Sequence, residues 1–231
     1  MGRSPVALLK SILPRGLTDL CRSAIAARKR KSEEERTLAE WERSGRPIPP
    51  PSIVKQHIVK LYAHEYGTRT LIETGTYWGD MVDACSREFA RIISIELDPD
   101  LHERARARFA SSRHIEIHRG DSANLLPELI EDLSEASLFW LDGHYSEGAT
   151  ARGASMTPIM DELHSICEMP GDGHVILIDD ARLFVGEDDY PTVDEVREFV
   201  LSRRPHYEFE LESDIMRIAP SREKRPSGGL P

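Results

Sequence analysis

Cysteine is scarce in this 231-residue chain. Cys21, Cys85 and Cys167 lie far apart and form no CxxC pair, which argues against a structural zinc site or a disulfide framework and suits a reducing cytoplasm. Long apolar runs are missing too. No stretch reaches about 18 uninterrupted apolar residues, so no membrane-spanning helix is expected. The opening MGRSPVALLKSILPRGL has a short apolar run broken by Lys10 and Pro14, with no small-residue cleavage site after it, and does not read as a secretory signal. Positive charge is in deficit: the formal net charge of -10 gives non-specific attraction to a nucleic-acid backbone no driving force.

What is present fits one domain of ordinary size with appended sequence, because hydrophobic residues at 39% suffice for a core and charged residues at 30% for a soluble surface. Residues 1–46 run from basic, ending in ARKRK, to acidic in SEEERTLAEWE. They read as a helical extension, either a solvated amphipathic helix or a contact for a membrane surface or partner. PIPPPS at 47–52 is a breaker and the best boundary. Residues 219–231 have the composition of a disordered tail.

Between these ends, residues 53–218 alternate helical and strand patterns. IVKQHIVKLYAHEY is helical and TLIET a short buried strand; a helix is expected over MVDACSREFA, then strand RIISIEL and helix PDLHERARARFA. HIEIHRG, ASLFWLDG and GHVILIDD read as further strands, and SANLLPELIEDL, TPIMDELHSICEM and PTVDEVREFVLSR as helices. YEFELES and DIMRIAP suit a closing antiparallel pair. The expected fold is α/β: a Rossmann-like, mostly parallel sheet with helices on both faces and an antiparallel C-terminal strand. Ligands of such sheets bind at the carboxyl ends of the strands, near the switch point in strand order.

The strand ends are where polar residues gather. Glu73, Gly75 and Gly79 follow the first strand in LIETGTYWGD; glycines there permit positive φ and close approach of a ligand, and the next helix start favours a carboxylate. Tyr77 and Trp78 could pack on such a ligand, and Trp78 equally into the core. Glu96 ends the second strand, about 20 residues after the glycine turn, where an acid can accept from two ribose hydroxyls. Asp98 reads as a helix cap before Pro99. Asp121 and Ser122 end the third strand and address an adenine edge or cap a helix. The dehydrogenase fingerprint G-x-G-x-x-G and the P-loop G-K-[ST] are both absent.

In order, these segments resemble the class I S-adenosylmethionine-dependent methyltransferases: ETGTYWG their first motif, SIELDP their ribose-binding acid, GDSANLLPEL their adenine-side segment. The resemblance implies S-adenosylmethionine as methyl donor, held by Glu73, Gly75, Gly79, Glu96, Asp121 and Ser122. After the fourth and fifth strands come Asp142, and Asp179 with Asp180. Clustered carboxylates suit a hard cation such as Mg²⁺, and the arrangement is similar to metal-dependent O-methyltransferases of the catechol and macrolide-sugar types, which implies these three as ligands. Those enzymes carry a lysine or histidine three positions after the first metal aspartate. Tyr145 stands there, with His144 one residue earlier; His144 has a suitable pKa for a base but can equally serve as a hydrogen-bonding residue. GHYSEGATARGASMTP reads as a lid over the acceptor, with Arg152 either on an acidic acceptor or on the surface.

The resemblance therefore implies a cytoplasmic enzyme that methylates a hydroxyl of a small molecule, a sugar or another hydroxylated metabolite, with Mg²⁺ assisting. A metal-independent methyltransferase and a methyltransferase-like module that binds a ligand or partner without turnover are the alternatives. Nucleic acid is not an expected partner: the chain reads LDGHY where amino-methylating nucleic-acid enzymes carry [DN]-P-P-[YF], and it lacks a basic footprint.

Overall fold

A computed structural model describes residues 15–143 and 157–222. The chain divides into two compact units, Met1–Pro47 and Ile48–Pro231. The first holds helix α1 (Arg15–Arg43). Lys29–Glu33 and Lys31–Glu35 face each other one turn apart, at 3.9 and 4.0 Å, the spacing at which opposite charges support an exposed helix. Past its end, the Trp41 indole donates to the Pro47 carbonyl at 2.8 Å. Among the described residues no helix is long and apolar enough to cross a membrane.

The second unit opens with α2 (Ser52–Tyr66), which buries Val54, Ile58, Val59 and Tyr62 and stops at Gly67 in the left-handed conformation. Strand and helix then alternate: β1 (Thr70–Thr74), α3 (Asp80–Cys85), β2 (Arg91–Glu96), α4 (Pro99–Arg108), β3 (Ile115–Arg119), α5 (Ser122–Ile130) and β4 (Ser137–Leu141). After these come α6 (Ile159–Glu168), β5 (Val175–Ile178), a 3₁₀ turn (Ala181–Leu183), α7 (Val193–Arg203), β6 (Tyr207–Glu212) and β7 (Ile215–Pro220). The sheet runs in the order β3-β2-β1-β4-β5-β7-β6. It is parallel from β3 to β5, and β7 pairs antiparallel with both β5 and β6.

Every residue of β1, β4 and β5 is buried, which is why their apolar residues stand side by side rather than alternating with polar ones: a parallel sheet is covered on both faces. Ile72, Ile93, Phe139, Leu163, Ile176 and Val196 belong to one continuous core. Removing such a side chain from water contributes about 1.5–3 kcal/mol, so the central strands carry much of the apolar burial of the unit. Local signals agree with the packing. The Asp98 carboxylate caps α4 by accepting from the amides of Asp100 and Leu101, and Thr192 and Glu195 close a capping box on α7. One element is shorter than its pattern suggests: α3 ends at Cys85, where the Ser86 hydroxyl donates to the Asp83 carbonyl at 2.8 Å and a turn from Glu88 to Cys85 follows.

Strand order reverses its direction of growth at β1, which pairs with β2 on one side and β4 on the other. The ends of β1, β2, β4 and β5 therefore share one edge of the sheet, and that edge carries Glu73, Glu96, Asp142, Asp179 and Asp180.

Candidate active site at the switch point of the sheet

The glycine turn after β1 is locked to its neighbours. The Gly75 amide donates to the Ile95 carbonyl at 2.9 Å, and Gly75 has φ +87°. A Cβ at this position would overlap the backbone carbonyl of Asp142. Glycine is required on both counts, because L side chains avoid that φ and no room exists for one. Gly79, at φ +77°, starts α3, and a Cβ there would come within 2.7 Å of the Phe109 ring. Between them Tyr77, at φ +50°, donates its amide to Glu96 Oε2 at 2.6 Å.

Glu96 is buried at the end of β2 and also accepts from the Asp98 amide at 2.9 Å. One amide thus reaches each of its two oxygens, fixing the carboxylate beneath the turn; burial raises its pKa while these two amides oppose the rise. Glu73 lies opposite Ser94 in the register and accepts from its hydroxyl. The Ser94 hydroxyl also meets Thr76 Oγ1 at 2.6 Å. Burial pushes the Glu73 pKa up to about 8; the Ser94 hydrogen bond resists, and the charges of Asp142 and Glu96 add to the rise. Glu73 therefore senses both the β2 acid and the β4 acid. Tyr77 and Trp78 are both more than two-fifths exposed, so Trp78 is not a core aromatic; the Arg104 guanidinium lies 5.0 Å from its ring centroid.

Asp121 and Ser122 part company. Asp121 accepts from the Ala123 amide at 3.0 Å as the cap of α5. Ser122 is buried and donates to Glu162 Oε1 at 2.5 Å.

Asp142, Asp179 and Asp180 do converge, each offering a ligand oxygen within 4.8 Å of the others. The Asp179 amide donates to the Leu141 carbonyl at 3.0 Å, which ties the end of β5 to the end of β4. Asp180 turns the chain out of the sheet in the left-handed conformation, φ +53°, a state that aspartate tolerates better than most residues. Asp179 is almost wholly buried, and among the described residues its Oδ1 has no hydrogen-bond partner. A buried acceptor left unpaired is costly, and a cation on Oδ1 would satisfy it, so these residues fit a hard metal ion. The cleft beside them is walled by Ile159, Glu162, Phe184 and Tyr190. Burial, then the charges of Asp180 and Asp142, push the Tyr190 phenol up to about 12, which keeps it in its neutral form.

Sequence reasoning missed the partners of this triad. Lys55 from α2 ion-pairs with Asp179 and reaches Asp180 Oδ1 at 3.3 Å. Arg182 holds the same Asp180 oxygen at 2.8 Å and also pairs with buried Asp214. Glu162, buried on α6, has its pKa raised to about 7 by burial, with the Ser122 hydroxyl opposing. A signal existed for two of them. Lys55 is three, four and seven residues before the buried Ile58, Val59 and Tyr62, and Glu162 is three after Ile159; each is a charge on an apolar stripe. His144, Tyr145 and Arg152 lie outside the described residues.

No family model and no curated protein sequence matches the chain. Solved structures do. The O-methyltransferase TomG from Streptomyces achromogenes, in complex with S-adenosylmethionine, is 18% identical over 81% of this chain and 89% of that one, with a TM-score of 0.54. An O-methyltransferase from Bacillus cereus in complex with S-adenosylhomocysteine is 16% identical, covering 81% and 90% with a TM-score of 0.53. A methyltransferase from Podospora anserina bound to S-adenosylhomocysteine is 16% identical, covering 91% and 98% with a TM-score of 0.52. The chain has the class I methyltransferase fold. In this methyltransferase fold Gly75, Gly79 and Glu96 stand at the β1–β2 side of the switch point, and the acid triad stands at the β4–β5 side. The seam between the two halves is the contact of Gly75 with Asp142.

Proposed function

We propose that this chain transfers a methyl group from S-adenosylmethionine to a hydroxyl of a small molecule, a sugar or another hydroxylated metabolite. The observation that carries this reading is the turn from Gly75 to Gly79, pinned over the buried Glu96 carboxylate at the switch point. Backbone there can approach a ligand closely, and an acid ending β2 can accept from ribose hydroxyls. Glu73 would accept from the donor's ammonium group, and Asp121, the more open of its pair, would face the adenine.

The reaction is an in-line displacement. The acceptor oxygen attacks the sulfonium methyl carbon, the carbon–sulfur bond breaks with its electron pair going to sulfur, and the acceptor's proton passes to a base. The protein's share is alignment and exclusion of water. His144, two residues past Asp142, is the proposed base, with Tyr145 beside it. Mg²⁺ held by Asp142, Asp179 and Asp180 would lower the pKa of the acceptor hydroxyl and hold its oxygen. Lys55, already paired with two of these acids, favours a metal-independent reaction as the second reading.

Calorimetric titration with S-adenosylhomocysteine tests the proposal. Saturable binding by the wild-type protein, lost in Glu96→Ala, is the expected result. A well-folded wild-type protein that binds none would refute it and move the weight to a partner-binding module.

A further inference from the structure

We propose that Lys55 is the built-in cation of the acid triad, and that its ammonium and a divalent ion hold Asp179 and Asp180 alternately. The inference rests on the reading of Asp142, Asp179 and Asp180 as a metal site.

Among the described residues two cations, Lys55 and Arg182, face these acids, and they are not equivalent. Arg182 is fixed from both sides, by Asp180 and by Asp214, which is itself buried and also accepts from the Arg182 amide at 2.8 Å. Its planar, forked head suits such a fixed double contact. Lys55 has a flexible four-carbon stem and a point charge, and its side chain is 18% exposed while that of Asp179 is 0% exposed. Among the described residues, both contacts of its ammonium are to members of the triad. Lys55 is therefore the cation that can leave, and it has a path to solvent.

The oxygens tell which exchange is possible. Lys55 takes Asp179 Oδ2, and Oδ1 of the same carboxylate is buried and has no partner among the described residues. A divalent ion has a free ligand there, yet to gather the other acids it must come within a few ångströms of the ammonium. Two like charges that close in a buried setting repel strongly, so the ion and the ammonium exclude each other. With no ion bound, Lys55 offsets the charge of carboxylates that burial would otherwise penalise. With an ion bound, Lys55 swings outward.

Mn²⁺ is the probe, titrated into the full chain without donor or acceptor and followed by the electron paramagnetic resonance of free Mn²⁺. Lys55→Met keeps the stem and removes the charge. It is expected to bind Mn²⁺ roughly tenfold tighter or more, the change expected for each 1.4 kcal/mol of competition removed. It should also melt below the wild type and recover with Mn²⁺, while Lys55→Arg stays close to the wild-type affinity. The wild-type protein supplies a second reading that needs no variant: saturating Mg²⁺ should speed acetylation of Lys55 by acetic anhydride, measured by mass spectrometry. Equal or weaker Mn²⁺ binding by Lys55→Met, no Mn²⁺ binding by any form, or a Lys55 acetylation rate indifferent to Mg²⁺ would each overturn the proposal. S-adenosylhomocysteine binding measured on the same samples reports separately on the methyl-transfer reading.

Discussion

Alanine at Gly75 should do more harm than alanine at Gly67, although both glycines have a similar positive φ, +87° and +66°. The shared part is conformational: a left-handed residue with a Cβ costs about 1–2 kcal/mol. The surroundings differ. Nothing lies within 4 Å of a Cβ built on Gly67, whereas one on Gly75 overlaps the Asp142 carbonyl, which is backbone and cannot swing away. Forcing an extra carbon into such a contact costs a further ~1–3 kcal/mol. Gly75→Ala should therefore lose roughly 2–5 kcal/mol and Gly67→Ala about 1–2 kcal/mol. At about 2–4 °C per kcal/mol for a domain of this size, the two melts fall by roughly 4–20 °C and 2–8 °C. The damage at Gly75 is also directed, since pushing Asp142 away parts the ends of β1 and β4; S-adenosylhomocysteine affinity should drop in Gly75→Ala and not in Gly67→Ala. Scanning calorimetry of both variants decides the matter. If Gly75→Ala melts no lower than Gly67→Ala, the seam does not have the closeness argued for it.

Two further outcomes follow from buried and capping acids. Burial raises the pKa of Glu73 from 4.5 to about 8, so the folded protein keeps a proton that the unfolded chain gives up, and the contribution of this one group to stability is fully present below about 4.5 and falls as pH rises toward 8. The slope from this group is at most about 1.4 kcal/mol per pH unit. Urea denaturation at several pH values should show Glu73→Gln gaining on the wild type over that range, and parallel curves would count against a protonated Glu73. Asp98→Ala removes the acceptor of two amides at the start of α4 and should cost about 1 kcal/mol, read as a melt lowered by roughly 2–4 °C; an unchanged melt would mean that water replaces the cap.

Much of the sheet was legible because burial on both faces leaves an unmistakable trace: SLFWL and VILI carry consecutive apolar residues where an exposed strand would alternate. The acids were legible for a related reason. Asp142 and Asp179 each follow such a run directly, with Asp180 next in the chain, and parallel strands bring their carboxyl ends to one edge. Lys55 has no such marker, since its partners are 124 and 125 residues away and only the apolar stripe of α2 hints that it points inward. Arg182 and Asp214 meet because β7 lies beside β5, a pairing that chain order does not dictate. For Ser122, the sequence presents a polar residue at a strand end, and only the packing of α5 against α6 turns its hydroxyl to Glu162.

The place of β7 between β5 and β6 also sets an order of events at the ribosome. β5 is made early and ends at Ile178, but the strand that covers its outer side begins only at Ile215. At about 5–20 residues per second that interval lasts roughly two to seven seconds. Throughout it, a wholly apolar strand with an open row of amides and carbonyls waits for its neighbour, the kind of edge on which chains adhere to one another. Slowing translation between these two strands lengthens that exposure, and should lower the yield of soluble protein while leaving the stability of the finished fold unchanged.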